Sequence, residues 1–422
     1  MNKLYASFTQ RHSSPFKTGV HRHSKNSTGF IFLLIGWILL PNHVFSAEEG
    51  AEELEVPLIP ASVRLDYVTV DNTFNTSTNP VESTGIVIAP SVQWKGNRRL
   101  LEITASYAGK YGSYSESILN FTDHDLRFRL QAELATRHRG FGELVVNQSH
   151  EPIGTGQASL TNNVTDQIVV TDVIAQAGYI YGSKTAKGNI GAGLALGTKK
   201  FENIDILTDG DDNSLIRPYA FFTYRLSPDT KFHSEVRYLI RDFDDNLRDV
   251  NEVTLLTGLD LNPTARTGGS IRFGVSKASF DTAGVPDSST FVSEVNVYFS
   301  PRSYSRFSLD FVRGLVIVDN SQNGVGESIQ SIANLQWNHN WTGRFSTTAS
   351  LGFDLIEREC PNTDTLGSSA GIEFDMSIRR WISAGAGIST RNLKTEGCES
   401  VIDSDDFNAD RTTIGLYVKA TL

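Results

Sequence analysis

The last eleven residues, 412–422, constrain the fold of this chain more than any other stretch. Ile414, Leu416, Val418, Ala420 and Leu422 alternate strictly with Thr413, Gly415, Tyr417, Lys419 and Thr421. A period of two belongs to a β-strand with one apolar and one polar face. A soluble protein rarely finishes on its cleanest strand without a tail. A membrane barrel does so readily, because its last strand closes on its first and leaves no edge.

The same alternation recurs upstream. In 126–134 every even position is apolar and every odd one polar, and similar runs occupy 101–107, 190–196, 232–240, 253–261, 345–355 and 370–378. With weaker members counted, about eighteen strands fit between residues 62 and 422. Short and long connections alternate between them. The short ones lie near 96–97, 137–139, 183–188, 227–229, 263–266, 301–303, 342–343 and 379–380. The longer polar ones are 73–83, 112–121, 151–170, 201–213, 243–250, 281–289, 319–327, 358–367 and 392–411. Outer-membrane barrels have short periplasmic turns and longer external loops, and an even strand number with both termini periplasmic puts every long stretch outside. A soluble sandwich or solenoid predicts no such alternation, and no fixed-period repeat is present. The expected fold is all-β: a transmembrane antiparallel β-barrel of about eighteen strands, of outer-membrane type.

Composition agrees. Apolar residues make up 39% of the chain, below the ordinary globular range of about 45–50% and in keeping with a polar lumen. The net charge of −10 and the lack of a basic stripe argue against nucleic acid as a partner. Lys3, Arg11, Lys17, Arg22 and Lys25 precede an apolar run from Phe30 to Leu40 and the small residues of 44–47. This pattern predicts a secretory signal peptide over 1–47, a short periplasmic segment over 48–61 and the barrel over 62–422. A membrane anchor is the weaker reading, since the apolar run falls short of the ~18–20 residues needed to span. Export implies an oxidising compartment. Cys360 and Cys398 fall in two consecutive outer loops, which favours a loop-to-loop disulfide over two free thiols.

Apolar faces toward lipid leave the opposite positions to line the lumen. The lumen-lining candidates are Arg127, Arg129, Lys231, Arg237, Arg241, Glu252, Asp260, Arg272, Tyr417 and Lys419, with His233, Glu235, Glu294, Asp310, Asp354, Glu373 and Asp375 beside them. Facing Arg or Lys to lipid near the midplane would cost about 2–4 kcal/mol each. Two readings stand: a basic surface that contacts anionic sugar acids, or a solvated network of ion pairs. Tyr67, Trp94, Tyr111, Tyr179, Tyr219, Trp337, Trp341 and Trp381 are candidates for interfacial girdles, the alternative being ordinary enrichment of aromatics in strands.

Signals for other chemistry are weak. The stretch 209–213 resembles the start of a calcium loop, but Ala220 stands where the bidentate Glu belongs. Gly367-Ser368-Ser369-Ala370-Gly371 matches G-x-S-x-G, yet it opens a strand where that elbow needs a strand-to-helix turn. His124 between Asp123 and Asp125 has no second constellation beside it. No catalytic residue, metal or cofactor is expected.

Residues 62–422 resemble a known family, the Putative β-barrel porin 2 family. The resemblance rests on Asp66-Tyr67 with Asp71-Asn72-Thr73-Phe74, on 88–91 (IAPS), 121–125 (FTDHD), 243–249 (FDDNLRD) and 261–264 (LNPT), and on the stretch from Arg391 through 403–410. Such barrels usually end in an aromatic residue, whereas this chain ends in Leu422. The resemblance implies an outer-membrane barrel that passes, or helps to pass, exported polysaccharide. Its implied partners are outer-membrane lipid and lipopolysaccharide, the barrel-assembly machinery, an anionic polysaccharide and periplasmic export proteins. The alternative function is a general diffusion porin for small solutes.

Overall fold

In lipid no water is available to the backbone, so each peptide group must find its partner within the sheet. The chain meets that demand with one antiparallel sheet whose ends meet. The structure is a computed structural model, and it describes residues 60–77, 79–151, 153, 167–202, 208, 210–244, 248–261, 263–264, 266–282, 286–317, 327–358, 364–396 and 407–422. The expected signal peptide, nearly all of the lead-in, and both cysteines, Cys360 and Cys398, lie outside those residues.

The strands are β1 (Ala61–Val70), β2 (Ser83–Arg98), β3 (Leu101–Tyr114), β4 (Thr122–Ala135), β5 (His138–Glu151), β6 (Ile168–Tyr181), β7 (Gly188–Phe201), β8 (Asn213–Ser227) and β9 (Thr230–Phe243). They continue as β10 (Val250–Leu261), β11 (Thr267–Phe280), β12 (Ser288–Arg302), β13 (Ser305–Ile317), β14 (Glu327–Asn340), β15 (Phe345–Arg358), β16 (Asp364–Arg379), β17 (Ile382–Glu396) and β18 (Phe407–Thr421). Each pairs with its sequence neighbours, and β1 closes on β18 from Ser62↔Thr421 to Val70↔Thr413. The barrel has eighteen strands, as the alternation predicts.

One face of every strand is an exposed apolar belt, with Leu65, Ile88, Phe128, Leu194, Leu255, Val275, Phe353 and Leu416 among its members. Seven of the eight girdle candidates share the outward register. Tyr219 does not. It alternates with the exposed Ile216 and Phe222, so it points inward, and it stacks on Phe221. Gly193, opposite Tyr219 on β7, leaves room for that ring: a Cβ there would lie 2.5 Å from the phenol.

Two expected boundaries also move. Gly96-Asn97 reads as a turn, but β2 runs through it to Arg98. The indole of Trp94 lies over Gly96, where a Cβ would come within 2.7 Å of the ring, so the glycine serves packing inside the strand. The polar stretch 392–411 is strand at both ends. Asn392 donates to Asn408 Oδ1 (2.7 Å) and Asp410 Oδ1 (2.9 Å), which extends the β17–β18 ladder with polar residues. At the end with the long connections, loops also contact each other: Asn75 Nδ2 donates to the Ile153 carbonyl at 3.2 Å.

The belt predicts its own sensitivity. Leu416→Arg on the lipid face should lower the unfolding free energy in lipid vesicles by about 2–4 kcal/mol, whereas Gly415→Ser on the opposite face should cost less than half as much. Guanidinium unfolding followed by Trp fluorescence measures both.

Candidate functional site

The inner face is built from unlike walls. On β9–β12 it is packed. Gly258 stands opposite both His233 and Arg272. Having no side chain, it lets the imidazole from one neighbour and the guanidinium from the other converge on Asp260. Arg272 Nη2 donates to Asp260 Oδ1 at 2.6 Å, and His233 Nδ1 lies 3.3 Å from Asp260 Oδ2. His233 Nε2 is 3.0 Å from Glu235 Oε2, and Arg237 Nε donates to Glu235 Oε1 at 2.5 Å. Arg237 also pairs with Glu294, so the network spans four strands. Asp260 is 0% and Arg272 1% exposed. Charges this buried are tolerable only when paired, and here each stands beside an opposite charge.

Nearer the long-connection end this wall becomes apolar. Phe243, Val250, Ala278 and Leu315 form a buried cluster with Phe280 and Ile329 packed on it. The β12–β13 ladder stops at Ser293↔Arg313. Beyond that point β13 leans across, within contact of β11, and brings Leu315 into the cluster.

On β4–β6 a register row carries Arg129, Glu143 and Gln176 side by side. Arg129 Nη2 and Gln176 Nε2 donate to the two Glu143 oxygens, at 2.7 and 2.8 Å.

The wall from β13 to β18 is different. Asp310, Asn334 and Gln336 have inward register yet are solvent-exposed. Next to them the inward positions are small: Gly352, Gly367, Ser369, Gly371, Gly387 and Ser389. At the periplasmic side Tyr417 closes this wall. Its hydroxyl donates toward Glu373 Oε1 (3.2 Å) and Asp375 Oδ2 (2.8 Å), and Arg64 lies 3.6 Å over its ring. Arg64 bridges on to Glu373 (3.0 Å) and Asp66 (2.8 Å). The inner wall is therefore packed along β9–β11, while its middle along β14–β17 carries small and amide side chains.

The family model described as Putative beta-barrel porin 2 matches residues 58–420. The chain belongs to that family. With its closed sheet and apolar belt, this porin 2 member is a barrel of the bacterial outer membrane, porin-like in fold. No curated protein matches it in sequence. Among solved structures it is similar to OccK2 (OpdF) of Pseudomonas aeruginosa, at 10% identity over 86% of this chain and 98% of that one, TM-score 0.43. It is similar to the FrpB iron transporter of Neisseria meningitidis at 10% identity over 87% and 82%, TM-score 0.42. A bacterial polysaccharide outer membrane secretin matches at 9% identity over 86% and 98%, TM-score 0.35.

In this porin 2 barrel the candidate residues divide by partner. Arg127 pairs with Asp125 on its own strand (3.1 Å), Arg129 with Glu143, Arg237 with Glu235 and Glu294, and Arg272 with Asp260. Glu252 accepts hydrogen bonds from Thr254 (3.0 Å) and Ser276. Lys231 stands opposite Asp260 in register, Lys419 opposite Arg64, and Arg241 opposite Val250. Arg127, Arg129 and Arg237 thus lie among carboxylates rather than forming an unopposed basic surface. Arg64, Arg391 and Arg411 were not among the candidates. In β17 and β18 the apolar partners needed to mark their alternation stop at Ile388 and Ile414.

The weaker motifs separate. Ser369 lies within β16, paired in register with Gly352 and Arg391, with no helix after it. His124 faces outward against Tyr107 and Tyr111, while Asp123 faces inward and holds His150 at 2.7 Å. Among the described residues no cluster of metal-ligating side chains occurs.

The Asp260–Arg272 pair gives a stability test. Asp260→Asn should lower the unfolding free energy by about 3–5 kcal/mol, because it strands a buried guanidinium. Combining it with Arg272→Met should recover part of that loss in a double-mutant cycle measured by guanidinium unfolding in vesicles.

Proposed function

We propose that this porin-like barrel is a conduit, or an accessory to one, for exported polysaccharide. The observation that supports the reading is the β13–β18 wall, with exposed Asn334 and Gln336 beside a Gly- and Ser-lined surface. A polysaccharide is a chain of hydroxyls. Amide and hydroxyl groups exchange hydrogen bonds with it and with water at a net gain of only about 0.5–1.5 kcal/mol each. Many weak contacts of this kind let a chain enter without trapping it, which is the condition for conduction. In this reading residues 1–47 are a cleaved export signal, Cys360 and Cys398 form a disulfide in the outer loops, and periplasmic export proteins deliver the chain. Lipopolysaccharide surrounds the mature barrel, and the barrel-assembly machinery inserts it. No step is catalytic.

A second reading, a diffusion porin for small solutes, draws on the contact between Asn75 and Ile153, which ties two connections together at the long-connection end. A deletion strain separates the two. Polysaccharide lost from the medium and arrested in the periplasm is the result expected of a conduit. Unchanged polysaccharide with slower uptake of small sugars would leave the porin.

A further inference from the structure

Arg391 on β17 and Arg411 on β18 are direct partners in the antiparallel register. Both face the lumen, because the alternate positions Ile388 and Ile414 belong to the exposed belt. Like charges directly opposite one another on neighbouring strands destabilise a sheet. Burial makes the conflict sharper, and Arg411 is only 7% exposed. The other deeply buried arginines have a carboxylate at hydrogen-bond distance, Arg272 at 2.6 Å and Arg248 at 2.7 Å. Among the described residues, neither Arg391 nor Arg411 has an ion-pair or hydrogen-bond partner. Asp354 acts on Arg391, and Asp71 on Arg411, through space only. Asp71 Oδ1 accepts the backbone N–H of Thr412, at 2.6 Å, and the carboxylate does not reach Arg411 by a hydrogen bond.

The positions beside the pair are small. Ser369 stands opposite Arg391, Gly352 opposite Ser369, and a Cβ placed on Gly367 would come within 3.7 Å of Arg391 Nη2. Two guanidinium groups on register-paired positions beside glycine and serine supply the donors that bind a planar carboxylate by paired N–H···O bonds.

We propose that Arg391 and Arg411 form a carboxylate subsite for an acidic saccharide unit at the long-connection end of the lumen. The bound carboxylate is the missing counter-ion. This deepens the conduit reading and rests on it for the identity of the ligand, which becomes a polysaccharide carrying uronic acid or similar carboxylate-bearing units.

The test is binding, measured apart from transport. The mature barrel is reconstituted in lipid and titrated calorimetrically with glucuronate, with glucose and inorganic phosphate as parallel probes. Glucuronate should bind, glucose should not, and phosphate should bind at least tenfold more weakly than glucuronate. Arg411→Gln and Arg391→Gln should each weaken glucuronate by about tenfold, and Arg411→Lys by less. Without ligand, Arg411→Gln should melt no lower than the wild type, since it removes a repulsion.

Failure of glucuronate to bind, or equal binding of phosphate, would overturn the saccharide site. A melting temperature several degrees lower for Arg411→Gln would make the arginine a structural element instead. The connection between β17 and β18 carries Asp403, Asp405 and Asp406. Should changing these three to Asn strengthen glucuronate binding tenfold, they would be the pair's own counter-ions and the proposal would fall. Glucuronate binding in a barrel whose deletion leaves polysaccharide export unchanged would keep the subsite and reject the conduit.

Discussion

The ladder between β1 and β18 is the interaction on which everything else depends. Without it two strand edges would stand unpaired in hydrocarbon, at a cost of several kcal/mol for each exposed peptide group. Closure fixes the rest of the geometry. Once the sheet is a cylinder, each strand has one face in lipid and one in the lumen, so the period-two alternation becomes obligatory. The lumen then becomes the only place where the charges of the barrel wall can go without a large desolvation cost.

Inside the cylinder, register decides which charges meet. Gly258 separates His233 from Arg272, and that gap lets both reach Asp260. Arg129, Glu143 and Gln176 are held in one row by the ladders of β4, β5 and β6. Where acids and bases fall in register, the wall is neutralised and packed. Small residues on β15–β17 leave the wall low there. The position of Arg391 opposite Arg411 breaks the pattern of matched charges, next to the small residues of β16.

The architecture was legible because it rests on local rules. Alternation marked the strands, and the lengths of the connections marked the two ends of the barrel. Residues such as Arg127, Lys231 and Glu252 could be placed on the polar face for the same reason. Their partners were not legible. Which strand position lies opposite another depends on the exact length of each turn, so the pairing of Arg237 with Glu294 cannot be counted from spacing alone. Tyr219 was misplaced because an aromatic residue near a strand end fits a girdle, while the glycine that accommodates it sits on a different strand. Gly96-Asn97 was misplaced because a glycine under a tryptophan looks like a turn in one dimension. The leaning of β13 over the inner wall has no local signature.

The central claim is that the inner wall is solvent-exposed around Asn334 and Gln336 on β14 and packed along β9–β11. Cysteine accessibility tests it most directly. In a background of Cys360→Ser and Cys398→Ser, single cysteines at Asn334 and Gln336 should react rapidly with a charged, membrane-impermeant maleimide in reconstituted barrels. Cysteines at Ser276 and Ala278 should react at least about a hundredfold more slowly, as local opening of a packed wall requires. Equal rates at the two pairs would mean that the lumen is uniformly open or uniformly filled, and would contradict the account.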